Sequence, residues 1–270
     1  RRVLFRSPFS VDFKSHIIDL KISTEGVGIK YSKELYEDKE EFYIVYLDWL
    51  KNDMGIDLLK DNIIISHFAH SCNGGIKIDE FARTGVNGLY AIGEVASIIE
   101  GANRLGGNSL GGSLVFANRA IINAVEYIKN TKSFKLKKRD VEQDFNAWIR
   151  EITREDKNNL LDKKSVIKIL KNITSDNLGI VRSAEKVKRL FEELKNMRES
   201  YSIEKNLKEG SLEVYLMEES IKMLALSILN REESRGAHYR EDFPETSNEV
   251  VKLNVKRKNN EFIIEKVKVR

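Results

Sequence analysis

Residues 88–110 read GLYAIGEVASIIEGANRLGGNSL, and the rest of the chain is read outward from them. LYAIG at 89–93 predicts a short buried strand that runs into a glycine, with Glu94 just past its end. The loop that follows carries one guanidinium, Arg104, and ends in the glycine pair of GGNSL. Residues 109–130, SLGGSLVFANRAIINAVEYIKN, place Leu110, Leu114, Val115, Ala117, Ile121, Ala124, Val125 and Ile128 at helical spacing. That spacing predicts a largely buried helix capped by Asn108 or Ser109.

On the N-terminal side, IIIS at 63–66 predicts a short buried strand, and 67–87 a polar loop with a possible hairpin between GGIKID and EFARTGVNG. Residues 33–52 predict a helix whose face carries Leu35, Phe42, Tyr43, Tyr46, Leu47 and Leu50, stopped by Gly55. HIIDLKIS at 16–23 alternates apolar and polar, as a half-buried strand does. On the C-terminal side the composition turns to Lys, Glu and Asp with helical periodicity. Helices are expected over 139–156, 164–173, 183–200 and 211–232, with Asn177-Leu178-Gly179 breaking the middle pair. VVKLNVKRKNNEFIIEKVKV at 250–269 alternates twice around KNNE and predicts a β-hairpin. The expected organisation is an α+β region, a strand–loop–helix core, a helical domain and a terminal hairpin.

The chain has 270 residues, 41% hydrophobic and 33% charged, which is the balance of a globular protein with a charged surface. No apolar run approaches the ~20 residues that span a bilayer, so direct membrane insertion is not expected. The net charge is +4, from 46 basic and 42 acidic residues that are interspersed, so nothing points to nucleic acid. One cysteine, Cys72, excludes an internal disulfide and fits a reducing, cytoplasmic compartment. The opening RRVLFRS, residues 1–7, matches nothing that follows and is expected to be a non-native leader.

Several residues carry chemistry. A carboxylate at a strand end beside Gly93 suits ribose or ribityl hydroxyls, because ligands of α/β folds sit at the carboxyl ends of strands. The bland alternative for Glu94 is a solvent-facing loop residue. GGNSL lets backbone approach a ligand closely, and the helix start behind it offers unpaired N–H groups and partial positive charge. An ordinary tight approach loop explains those residues equally well. Arg104 has the fork that grips a carboxylate bidentately, or is a surface charge. His70, in HSCNGG beside a flexible backbone segment, can hold one end of a polar substrate. The His67-x-x-His70 spacing lacks the further ligands a metal needs. REESRGAHYREDFPE at 231–245 reads as an ion-paired helix C-terminus packed onto another part of the protein. The sixteen glycines include no G-x-G-x-x-G, so 88–110 completes a dinucleotide site and does not build one alone.

Taken together, HSCNGGI, GLYAIGE, GANRLGGNSL, NLGIVRS at 177–183 and REESRGAHYREDFPE resemble, in order and spacing, the FAD-dependent fumarate reductase, succinate dehydrogenase and L-aspartate oxidase flavoproteins. The chain departs from the family pattern at Ser71-Cys72-Asn73 and lacks the His-Gly common before Ala-Asn-Arg. The resemblance implies an α/β plus all-α fold. Residues 8–62 would end a capping domain, 63–130 would be the second part of a Rossmann-like FAD-binding domain, 131–245 a C-terminal helical domain and 246–270 a hairpin tail. It also implies FAD as cofactor, with Gly93 and Glu94 at the ribityl chain and Asn108, Ser109 and Leu110 at the pyrimidine edge of the ring. His70 and Arg104 would hold a C4-dicarboxylate and serve catalysis. An iron–sulfur or other electron-transfer partner is implied, with peripheral membrane attachment through it. On this reading the chain is the C-terminal part of the enzyme. Two other readings remain: an L-aspartate oxidase or related dehydrogenase, and a chain that in isolation neither retains FAD nor turns over.

Overall fold

A computed structural model describes residues 9–14, 16–37, 41–67, 69–97, 99–132, 138–152, 161–200, 211–259 and 261–269. The expected leader at 1–7, the 153–156 end of the first C-terminal helix and the side chains of Leu35, Phe42 and Tyr43 lie outside the described residues. The chain divides into two compact units, one of Phe13–His70 and one of the residues up to Asp12 with Ser71–Arg270.

The smaller unit contains α1 (His16–Glu25), β1 (Val27–Ile29), α2 (Lys33–Glu37), α3 (Glu41–Asn52) and β2 (Ile63–Ile65). β1 and β2 pair antiparallel with Val27 opposite Ile65. Leu47, Leu50 and Leu58 are buried, with Tyr31, Ile56 and Ile63 packed against them. The described parts of the expected 33–52 helix, α2 and α3, are helical, residues 38–40 lie outside the described residues, and Gly55 at φ +69° follows α3 as its stop. Two expectations fail here. HIIDLKIS is helical, because Ile17/Leu20 and Ile18/Ile22 also satisfy the i,i+3 and i,i+4 spacing. The IIIS strand forms but is not buried, since Ile64 is 78% exposed.

The larger unit opens with β3 (Ile76–Lys77), paired parallel to β4 (Ala96–Ser97), followed by α4 (Asn108–Asn130). No hairpin forms over 67–87; Gly75-flanked β3 pairs forward with β4, and Arg83 bridges Tyr90 alone. LYAIG is likewise not a strand, and Gly93–Val95 form a 3-10 turn. α4 corrects the expectation of a largely buried helix, since only Gly112 and Ala120 are buried. Leu110, Leu114 and Ile121 are 70%, 64% and 65% exposed, so no layer of described residues covers that apolar stripe. The N-cap is Gly107, and neither Asn108 nor Ser109 takes that position.

α5 (Lys138–Ile152), α6 (Lys163–Leu178), α7 (Ala184–Ser200) and α8 (Ser211–Asn230) carry the main core. Asp162 starts α6 by accepting the N–H groups of Lys164 and Ser165 at 2.9 and 3.2 Å. The Ser165 hydroxyl first, and then those N–H bonds, hold the Asp162 carboxyl below its usual range. α6 ends at Leu178, with Gly179 as its C-cap. Val166, Leu170, Ile173, Val187, Leu190, Leu194, Val214, Ala225 and Ile228 interdigitate between α6, α7 and α8. β5 (Val181–Arg182) pairs parallel to β6 (Tyr239–Arg240). β7 (Val251–Lys258) and β8 (Glu261–Lys268) form the expected antiparallel hairpin, turning through Asn259 at φ +49°. Arg257 donates to the Tyr215 hydroxyl at 2.9 Å and ties the hairpin to α8.

Core and stripe should therefore respond differently to truncation. Leu190→Ala, at a fully buried position, should cost about 2–5 kcal/mol. Ile121→Ala on the bare stripe should stay within about 0.5 kcal/mol. Chemical denaturation of the 270-residue chain measures both.

Candidate functional site

The expected cofactor residues converge in the larger unit. The 3-10 turn Gly93–Val95 packs against the start of α4, and a methyl group at Gly93 would lie 3.9 Å from the Ser113 hydroxyl. Glu94 is exposed, and its Oε1 accepts the backbone N–H of Cys72 at 3.0 Å. That bond fixes the carboxylate and ties the SCNGG segment to the turn, while Oε2 remains for a ligand hydroxyl. α4 starts from Gly107 at φ +85°, a left-handed residue with no side-chain cap. Asn108 N–H returns to Leu105 O at 3.1 Å. The N–H groups of Ser109 and Leu110 lie in the first turn, where no intrahelical acceptor exists.

These features suit a flat, polar, electron-accepting ring. A methyl group added at Gly106, Gly107 or Gly111 would meet no heavy atom within 4 Å, so the approach to the helix start is open. Beside it, Asn103 Oδ1 is buried with no hydrogen-bond partner among the described residues. The residues present therefore fit one side of a flavin site: a hydroxyl-binding carboxylate, an open glycine approach and a helix N-terminus.

Arg104 is half-buried in the same loop and makes no hydrogen bond or ion pair among the described residues. The arginines of the helical region behave differently. Arg231 and Arg235 share the buried carboxylate of Glu233 at 2.6 and 2.9 Å. Arg240 is paired with Asp242 at 2.7 Å. Arg182 donates to His238 Nδ1 at 3.0 Å, and burial lowers its pKa to about 10. Arg104 is thus a cation in reach of solvent with no protein anion assigned to it.

His70 is exposed, at the end of the smaller unit. His67 belongs to α1's surroundings: Ser23 Oγ lies 2.9 Å from its Nδ1 and Asp19 3.9 Å from its Nε2. Asp19 and Ser23 are one helical turn apart, so one face of α1 orients the ring. Burial lowers the His67 pKa, and Asp19 opposes that shift. Among the described residues no group of three His, Cys, Asp or Glu is arranged to hold a metal.

One arrangement goes unseen in the sequence. The turn Arg235–His238 touches the Arg104 loop: Ala237 N–H donates to Ala102 O at 2.9 Å, and Val11 N–H donates to Gly236 O at 2.8 Å. The Arg-Gly-Ala-His run carried a turn signal in its glycine, but nothing local in sequence names Ala102 as its neighbour.

Two family models match this chain: an FAD binding domain over residues 40–110, and the C-terminal region of the fumarate reductase flavoprotein over residues 167–269. The chain belongs to the fumarate reductase/succinate dehydrogenase flavoprotein family, L-aspartate oxidases included. FAD is the cofactor that goes with the matched domain. A fumarate reductase (CoM/CoB) polypeptide of Methanothermobacter marburgensis is 34% identical over 223 residues, 79% of this chain and 39% of that protein. An L-aspartate oxidase of Pyrococcus abyssi is 33% identical over 235 residues, 86% of this chain and 42% of that protein. An uncharacterized FAD-dependent oxidoreductase of Methanocaldococcus jannaschii is 35% identical over 206 residues, 73% of this chain and 36% of that protein. The chain therefore spans about two-fifths of the length of the curated relatives it matches. In fold it is similar to a quinol-fumarate reductase structure with menaquinol molecules, at TM-score 0.71 and 21% identity over 91% of this chain and 45% of that one. A Mycobacterium smegmatis Sdh1 complex matches at TM-score 0.69 and 24% identity, over 88% of this chain and 41% of that one. No helix among the described residues is long and apolar enough to cross a membrane.

His238 gives the region a pH dependence. Burial, then the neighbouring Arg182 charge, lower its pKa from 6.5 to about 3. The folded state therefore holds the ring neutral while the unfolded chain protonates it near 6.5. Its contribution to stability is complete above 6.5 and is lost as pH falls toward about 3. Unfolding free energies measured from pH 7 down to 4 should decline for the native chain, with a visibly flatter slope for His238→Gln.

Proposed function

We propose that this chain supplies one wall of an FAD site and the carboxylate grip of an oxidoreductase that acts on a C4-dicarboxylate of the fumarate/succinate type. The observation that carries the proposal is Arg104, a half-buried guanidinium without a protein partner among the described residues, on the loop that enters the open N-terminus of α4.

Bound FAD supplies hydride exchange with the carbon–carbon bond of the substrate. Glu94, positioned by its bond from Cys72 N–H, accepts hydroxyls of the ribityl chain, and Gly93 keeps the backbone close there. Asn108, Ser109 and Leu110 form the turn that faces the pyrimidine edge of the ring. The Ser109 and Leu110 N–H groups and the helix dipole favour negative charge at that edge. Arg104 grips one substrate carboxylate through two parallel N–H bonds, which orients the reacting carbons and withdraws charge from them. His70 contacts the substrate in the same reading, and its assignment rests on the family resemblance. On that resemblance too, the domains run 8–62, 63–130, 131–245 and 246–270, and electrons pass to or from an iron–sulfur or other carrier partner on the cytoplasmic side of a membrane.

A second reading, L-aspartate oxidase chemistry, is favoured by the Pyrococcus abyssi relative, which is 33% identical over 86% of this chain. It uses the same grip, because aspartate is also a four-carbon dicarboxylate. Turnover with fumarate, succinate and aspartate in parallel separates the two.

Arg104→Ala in the full-length flavoprotein should lower kcat/KM on all three substrates at least ~100-fold, mainly through KM, and leave the flavin bound. Near-normal activity on any of them would remove Arg104 from the site. Glu94→Ala should lower the flavin content of the purified protein at least ~10-fold, the loss expected when charge-assisted hydrogen bonds of about 1.5–3 kcal/mol disappear. Flavin absorbance per mole of protein measures it. The isolated chain provides a third check: if it neither purifies yellow nor takes up added FAD, residues outside it are needed to retain the cofactor.

A further inference from the structure

The loop that carries Arg104 has little holding it from within. Among the described residues, the backbone partners of 99–106 are the Asn108 N–H on Leu105 O and the Ala237 N–H on Ala102 O. The second comes from the far end of the helical region. Arg235 and His238 close a two-residue hairpin turn: Arg235 N–H donates to His238 O at 2.8 Å and His238 N–H to Arg235 O at 3.0 Å. Gly236 takes the first central position at φ +57°, which a side chain tolerates poorly. A methyl group there would lie 2.6 Å from Ala102 O and 2.9 Å from Asn103 Cβ. Only a bare backbone can approach this closely.

The turn and Asn103 are held from the N-terminal segment too. Val11 N–H donates to Gly236 O at 2.8 Å, and Asn103 Nδ2 donates to Phe9 O at 3.4 Å. The turn is itself fixed. Its Arg235 donates to buried Glu233 at 2.9 Å and to Ser247 O, and the His238 ring lies between Arg182 at 3.0 Å and Arg231 O at 3.3 Å. The residue after this clamp is Arg104.

We infer that the Arg235–His238 turn is a positioning device for Arg104, with Gly236 and Ala237 as the positioning residues, so that the affinity of the site for the substrate carboxylate is set from the helical region. The inference rests on the proposed reading of Arg104 as the carboxylate grip. A bidentate grip must be held to within about 0.5 Å, and a misplacement of about 1 Å costs on the order of 100-fold. Neither Gly236 nor Ala237 touches substrate or cofactor. They act through the Ala102 carbonyl.

The test uses the full-length enzyme and four variants. Ala237→Pro deletes the one N–H donor, Gly236→Ala presses a methyl group onto Ala102 O, Ala237→Gly keeps the donor, and Arg104→Gln removes the grip. The readouts are KM and kcat for the dicarboxylate, flavin content, and hydrogen exchange of amides 101–106. Ala237→Pro should raise KM at least ~10-fold, with kcat within a few-fold, flavin content unchanged, and faster exchange of 101–106 while α6–α8 keep their protection. Ala237→Gly should behave as the native enzyme. Gly236→Ala should follow Ala237→Pro, which decides the matter if Gly236→Ala does not fold. An Ala237→Pro enzyme with native KM overturns the inference, whether or not the loop exchanges faster. If Arg104→Gln raises KM while Ala237→Pro does not, the positioning role alone has failed. If Arg104→Gln leaves KM unchanged, the carboxylate reading has failed, and the inference with it.

Discussion

Arg240 is the group on which the larger unit turns. Its side chain is 1% exposed, and each end of it closes a helix. One guanidinium nitrogen donates to the Ile228, Leu229 and Arg231 carbonyls at 2.6, 3.3 and 3.2 Å, at the end of α8 where the next helical turn supplies no N–H groups. The other two nitrogens meet Asp242 at 2.7 and 2.8 Å. Asp242 in turn accepts Ala184 N–H, at the start of α7, at 2.9 Å. The Arg240 hydrogen bonds hold the Asp242 pKa at about 2, so the pair stays charged at all physiological pH. Removing Asp242 would strand the buried Arg240 charge, at a cost of about 3–5 kcal/mol. The segment fixed in this way carries the 235–238 turn, the turn holds Ala102, and Ala102 leads to Arg104.

This sequence of supports explains why the arginines divide so sharply. Those at 182, 231, 235 and 240 have acceptors within hydrogen-bond distance and hold structure together. Arg104, with no such partner among the described residues, keeps its five donors for a ligand. A mildly basic net charge of +4 therefore says little about function, because it does not distinguish a half-buried guanidinium unpaired among the described residues, such as Arg104, from paired or fully exposed cations.

Much of this was legible in the sequence where the governing forces are local. Helices α6, α7 and α8 follow from amphipathic spacing, although α6 runs past the expected end at 173 to Leu178, up to the break at Gly179, and the β7–β8 hairpin follows from its alternation. Glu94 and the α4 start were legible as candidate cofactor residues from chemistry and resemblance, and the structure brings the Gly93–Val95 turn against the start of α4. Errors arose where tertiary context decides. Ile17, Ile18, Leu20 and Ile22 fit both periods, and His16–Glu25 is helical. LYAIG lost its strand because Gly93 at φ +75° turns the chain into a 3-10 turn. The stripe of α4 is apolar enough to be core, yet no described residue covers it. The contact of Gly236 with Ala102 joins positions far apart in sequence, so no window of residues contains it.

The most direct measurement is a crystal structure of the flavin-loaded full-length protein with a dicarboxylate bound. The Ser109 and Leu110 N–H groups should lie about 3 Å from the pyrimidine edge of the ring, with Arg104 forked on a substrate carboxylate. A flavin lying away from the α4 start, or an Arg104 turned to a protein carboxylate while the substrate is bound elsewhere, would overturn this assignment of the site.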